Sequence, residues 1–215
     1  MRLLYTLLLL LLTAPLASAQ APVLNNTVLP TVGDEARYAF DTLTKVQAPG
    51  PDGADVNWNF SLDTTSIDTI TFIDPNAAPD GSEYPNADVA AQIAELYLYA
   101  QTENDTLFTL GGGGTVFGIS RNLPNSERIK DIYAGATFND SFEDESYVDV
   151  KLDGDEAQRA ADSLNLGISG ISAAIDSLWV RLRTRRVVTF DGHGTLTVND
   201  SSYTGVLREY VVDYS

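Results

Sequence analysis

The sequence contains no cysteine, one histidine and one methionine, Met1. Without Cys there is no disulfide, thiolate zinc site, iron–sulfur cluster or cysteine nucleophile. With His193 alone there is no multi-histidine metal site. Cations are scarce: 13 Lys and Arg stand against 30 Asp and Glu, a formal charge of −17. Nucleic-acid binding rests on Lys and Arg neutralising phosphates, so a nucleic-acid partner is not expected. The 44% apolar and 20% charged fractions are those of a folded chain.

The one long apolar run lies at the start. Met1-Arg2 precedes a leucine run over Leu3–Leu12, then Pro15 and the small-x-small triplet Ala17-Ser18-Ala19. That is the layout of a secretory signal peptide over residues 1–19, with Gln20 as the new N-terminus. The run is about half of the ~20 residues a spanning helix needs, so no membrane span is expected after cleavage. Losing Arg2 takes the net charge from −17 to −18. The remainder, 20–215, reads as a single β-rich domain. A chain of that length buries about 70% of its unfolded surface, enough for a core without disulfides. The acids are 21 Asp and 9 Glu and the bases 10 Arg and 3 Lys. Adaptation to salty water and genomic base composition both account for that style, since salt screens self-repulsion.

Short β-type segments fill this domain. Asp34–Leu43, Val56–Phe60, Ile67–Ile73, Leu107–Leu110, Val116–Ser120, Ile129–Tyr133, Tyr147–Leu152, Leu178–Phe190, Leu196–Val198 and Val206–Tyr214 alternate or are β-branched. In Val56–Phe60, Val56, Trp58 and Phe60 share one face, so Trp58 and Phe60 are expected core residues. Gly111–Gly114 reads as the flexible connection of a hairpin, and Asp191-Gly192-His193-Gly194 as a turn. Ala87–Ala100 is ambiguous: Val89, Ile93 and Leu96 have helical spacing, while Leu96-Tyr97-Leu98-Tyr99 resembles a strand. Glu156–Leu166 reads as a short helix ended by Gly167. The fold class is therefore all-β, sandwich-like and mainly antiparallel, with a short helical insert near 155–175.

Several segments, in order, resemble secreted β-rich proteins of the Bacteroidota. They are Val56-Asn57-Trp58-Asn59-Phe60-Ser61, Tyr84-Pro85-Asn86-Ala87, Tyr133–Phe142, Asp191-Gly192-His193-Gly194-Thr195-Leu196 and Tyr203–Arg208. The resemblance implies export, often through a type IX sorting domain. The chain departs from the pattern in its Glu156–Ile175 insert and in carrying no such domain before Ser215. The family supplies no activity that could be transferred to residues here. Five Asp-Ser/Thr-aliphatic triplets, Asp105-Thr106-Leu107 among them, and the related Asp63-Thr64-Thr65 resemble the O-glycosylation acceptor of that lineage.

Five features could carry chemistry. Asp140–Glu156 is dense in acids, and Asp153, Asp155 and Glu156 are the calcium candidates, since calcium takes six to eight oxygens. The spacing is not that of an EF-hand, and a solvated acidic loop explains the same density. Arg181, Arg183 and Arg185 project from one strand face beside Trp179; they could grip an anionic polymer, or pair with carboxylates of neighbouring strands. His193 lies between glycines and reads as a tolerated turn residue, and no G-x-S-x-G nucleophile elbow accompanies it. Gly111–Gly114 lacks the G-K-[ST] of a phosphate loop. Finally, 30 acids offer many pairs at glycosidase separation. The expectation is a non-enzymatic module that is secreted, on the cell surface or in the periplasm, as in an adhesin or envelope protein. A glycan- or calcium-binding β-sandwich module and a carboxylate-pair polysaccharide hydrolase are the alternatives. No catalytic residue is assigned, and no cofactor beyond calcium.

Overall fold

The computed structural model describes residues 20–41, 50–61, 64–116, 119–163, 165 and 167–214. The expected signal peptide over 1–19 lies outside the described residues. Among the described residues the strands are β1 Glu35–Asp41, β2 Gly53–Phe60, β3 Thr64–Ile73, β4 Val89–Ile93, β5 Leu96–Glu103, β6 Thr106–Val116, β7 Ile119–Tyr133, β8 Ser141–Asp153, β9 Ser177–Val198 and β10 Ser201–Tyr214. Two short helices, α1 Gly154–Ser163 and α2 Ile171–Ala174, fill the insert between β8 and β9. The expected all-β, mainly antiparallel, sandwich-like fold with a helical insert is thus the observed one. Among the described residues no helix is long and apolar enough to cross a membrane.

The first sheet has the order β1-β3-β4-β5-β6-β7, all antiparallel. The ambiguous Ala87–Ala100 stretch forms the β4–β5 hairpin, not a helix. Its turn is Ala94-Glu95, with Ala94 at φ 53°. Asn104 and Asp105, at φ 49° and 57°, join β5 to β6. Both central residues have positive φ, as a two-residue type I′ turn needs, and Asn and Asp tolerate it best after glycine.

Gly111–Gly114 is not a flexible connection. It is part of strand β6 itself, and residues 117–118 lie outside the described residues. The glycines are there because the loop after β3 lies against this strand. A Cβ on Gly113 would fall 2.2 Å from the Asp80 carboxylate, and one on Gly111 would fall 2.7 Å from the Tyr84 hydroxyl. Glycine inside a strand marks such close approach. Tyr84 stacks on Tyr99 at 4.1 Å and donates to the Gly112 carbonyl at 3.0 Å. With Ala78 and Ala90 these two rings make the first core cluster.

The second sheet is built around β9, whose 22 residues outlast any one neighbour. β10 pairs antiparallel along one edge. On the other edge β8 pairs antiparallel with residues 177–189, and β2 then pairs parallel with 192–198. The exchange of neighbours falls at Asp191-Gly192-His193-Gly194. This segment, read above as a turn, continues the strand without a break. A Cβ on Gly194 would lie 1.9 Å from the Val56 carbonyl oxygen, and one on Gly192 would lie 2.8 Å from the Trp58 ring. The glycines admit β2, as strand glycines do where another backbone comes close. His193 is accordingly 4% exposed, edge-on to Phe138 at 5.0 Å. Trp58 is 4% exposed, as expected, while Phe60 is half-buried.

The sheets adjoin along β7 and β8, where side chains substitute for a backbone ladder. Ser146, fully buried, donates to the Glu127 carbonyl at 2.6 Å and accepts from the Glu127 N–H at 3.2 Å. The Lys130 N–H donates to Asp144 at 2.8 Å, and the Tyr147 N–H to the Ser126 hydroxyl at 3.0 Å. The second core cluster, Ala136, Val188 and Phe190 with Tyr133 and Phe142 against it, lies beside this seam.

Candidate functional site

Strand alternation puts Trp179, Arg181, Arg183 and Arg185 on one face of β9. Their cross-strand partners in register are Lys151, Asp149, Tyr147 and Glu145 of β8, and Tyr214 of β10 opposite Arg185. Each guanidinium grips one carboxylate in a two-bond fork. Arg181 donates to Asp149 at 2.6 and 2.7 Å, Arg183 to Glu145 at 3.0 and 2.6 Å, and Arg185 to Glu143 at 2.6 and 2.9 Å. The first pair is directly opposite; the other two are diagonal, within reach of long side chains. Of the two readings of the Arg stripe, pairing with neighbouring-strand carboxylates is the one realised.

Electrostatics follows the geometry. The hydrogen bonds from Arg183, then from the Tyr147 hydroxyl, pull the Glu145 carboxyl down to about 2. Arg185 likewise lowers Glu143, and Arg181 lowers Asp149. All three acids are solvent-facing, so the ladder orders the face and contributes little to stability. Between the forks stand flat rings. Arg181 lies 5.4 Å from the Tyr147 ring, Arg185 5.2 Å from Tyr214, and the Lys151 ammonium 5.7 Å from Trp179. Trp179 is 67% exposed and Tyr214 51%. At ~3.3 Å per residue, Trp179 to Arg185 spans about 20 Å. The result is an open face of aromatic planes and charge-neutral polar forks.

The calcium candidates have other partners. Asp153 accepts from the Glu156 N–H at 2.8 Å, and Glu156 accepts from the Asp153 N–H at 2.9 Å. This reciprocal pair is a capping box that starts α1. Glu156 also forms an ion pair with Arg121. Asp155 sits in the first turn of α1, where a negative charge suits the helix dipole. Among the described residues no group of three or more His, Asp or Glu is arranged to hold a metal ion.

Two arrangements had no motif to announce them. Asp191 receives the fork of Arg208 at 2.6 and 2.7 Å, and Arg208 also donates to the carbonyls of Gly50 and Pro51 at 2.9 and 3.0 Å. The Trp58 indole donates to the same Pro51 carbonyl at 2.9 Å. This node ties β2 to β9 and β10. The other is a cavity of about 370 Å³ over the first sheet, with Asp131 and Arg186 in its wall. Its one sequence signal is Arg185-Arg186. Adjacent strand residues face opposite ways, so the second arginine had to point inward and find a partner.

No family model, no curated protein and no solved structure matches this chain.

Proposed function

We propose that the protein is a non-enzymatic module, exported by its signal peptide to the cell surface or envelope, that binds glycan on the outer face of β8, β9 and β10. The observation that carries the reading is the alternation of exposed Trp179 and Tyr214 and half-buried Tyr147 with arginine–carboxylate forks on one open sheet face. An aromatic ring offers a flat apolar surface to the apolar side of a sugar ring. A guanidinium and a carboxylate side by side offer donors and acceptors to sugar hydroxyls. The stripe's own carboxylates neutralise it, and the chain is strongly acidic. An uncharged or weakly charged polysaccharide therefore fits better than a polyanion. In this role the ladder fixes the rings and the glycan is held without being cut.

Affinity electrophoresis through gels carrying a panel of soluble neutral polysaccharides tests the proposal. At least one should retard the protein, Trp179→Ala and Tyr147→Ala should lose the retardation, and no reducing ends should appear. Failure of every polysaccharide, or undiminished retardation of Trp179→Ala, would sink it.

A further inference from the structure

The cavity over the first sheet is built from residues that the glycan face does not use. Phe72, Leu98, Leu107 and Ile129 supply apolar walls, and Asp131 and Arg186 make a polar end. A hole of about 370 Å³ is more than twice the ~150 Å³ in which an engineered apolar cavity holds benzene. It therefore has room for a two-ring body.

The polar end has a definite hydrogen-bonding sense. Arg186 spends three of its five N–H donors on acids: Nε and Nη2 donate to Asp213 at 2.9 and 3.0 Å, and Nη1 donates to Asp131. Thr109 donates its hydroxyl to Asp131. Asn125 donates its amide to the Thr109 carbonyl at 3.1 Å, so its side-chain oxygen remains as an acceptor. Asp131 accepts two of the roughly four hydrogen bonds a carboxylate can take. Acceptor capacity is thus left over at Asp131 and at the Asn125 oxygen. One guanidinium also faces two carboxylates, Asp131 and Asp213. The end carries surplus negative charge in a setting where burial already pushes the Asp131 carboxyl up. A fatty acid or any other carboxylate meets repulsion there, and a cationic donor meets compensation.

We propose that this cavity is a binding site for a small amphipathic ammonium, with the apolar body along Phe72, Leu107 and Ile129 and the ammonium at Asp131 and the Asn125 oxygen. The site uses none of the side chains of the glycan face, so it stands or falls independently of that face.

Isothermal titration of the full chain with tryptamine and with indole-3-propionate, two probes alike in body and opposite in charge, tests it. Tryptamine should bind saturably, with a Kd at least tenfold below that of the propionate. Asp131→Asn should weaken tryptamine at least tenfold. Ala91→Leu, which adds bulk to a wall residue without touching the polar end, should abolish binding while the circular dichroism spectrum is kept. If Asp131→Asn fails to fold, Ala91→Leu and the charge-reversed probe still decide. No saturable tryptamine binding, equal binding of the propionate, or unchanged binding to folded Ala91→Leu would overturn the proposal.

Discussion

Replacing Gly194 by alanine probes the close parallel approach of β2 to β9. The new Cβ would lie 1.9 Å from the Val56 carbonyl oxygen and 2.6 Å from its nitrogen. Both are backbone atoms, so no rotamer change relieves the contact, and β2 must move away from β9. Overpacking costs roughly 1–3 kcal/mol, and a backbone collision of this depth belongs at the upper end. For a chain of this size about 3 kcal/mol lowers Tm by roughly 6–12 °C. At Gly192 the obstacle is the Trp58 ring at 2.8 Å, a side chain with some freedom to shift. Gly192→Ala should therefore cost less, on the order of 1–2 kcal/mol. The assay has a built-in reporter. Trp179 is 67% exposed and Trp58 is buried, and they are the two tryptophans. In a Trp179→Phe background all indole emission comes from Trp58. Gly194→Ala should red-shift that emission and lower the urea midpoint more than Gly192→Ala does. A Gly194→Ala protein that melts within a degree of the parent, with unchanged emission, would refute the packing argument.

Four further outcomes follow from the polar contacts. Glu156→Gln weakens the capping box and the Arg121 ion pair and should cost about 1–2 kcal/mol in chemical denaturation. Because Asp153 and Glu156 are already engaged, millimolar calcium should raise Tm no further than sodium chloride of equal ionic strength. A calcium-specific rise would restore Asp153, Asp155 and Glu156 as a cation site. Carboxyl-carbon NMR should place the Glu145 midpoint near 2. Its folded value is depressed, so its contribution to stability is complete above the unfolded glutamate value of ~4.3 and fades as pH falls toward about 2. A midpoint at the ordinary value would contradict the Arg183 fork. Ser146→Ala removes both hydrogen bonds between the buried Ser146 hydroxyl and the Glu127 backbone and should cost about 1–3 kcal/mol, read as a lower urea midpoint.

The legible part of the fold was the part written in local pattern. Alternation located the β segments and the buried Trp58, and the Ala-rich polar stretch located α1. The arginine stripe also showed its charge logic in sequence: three cations at period two in an acidic chain call for cross-strand carboxylates, and Asp149, Glu145 and Glu143 provide them. Glycine misled twice for one physical reason. A glycine that bends a chain and one that lets another backbone or side chain approach look alike until the neighbour is known. At Gly194 the neighbour is Val56, more than a hundred residues earlier; at Gly113 it is Asp80. The β4–β5 turn at Ala94-Glu95 carries neither Gly nor Pro, which is why the pattern there suggested a helix as well. The cavity depends on Asp131 and Arg186 meeting across two sheets, a long-range contact with no periodic trace.

The glycan face can be tested most directly on its own indole. The protein has two indole N–H groups: that of Trp58, buried and bonded to the Pro51 carbonyl, and that of Trp179 on the exposed face. In a proton–nitrogen spectrum recorded while the retarding polysaccharide is added, the Trp179 signal should shift and saturate while the Trp58 signal stays in place. A moving Trp58 signal with a fixed Trp179, or no movement of either at concentrations that retard the protein, would contradict binding on this face.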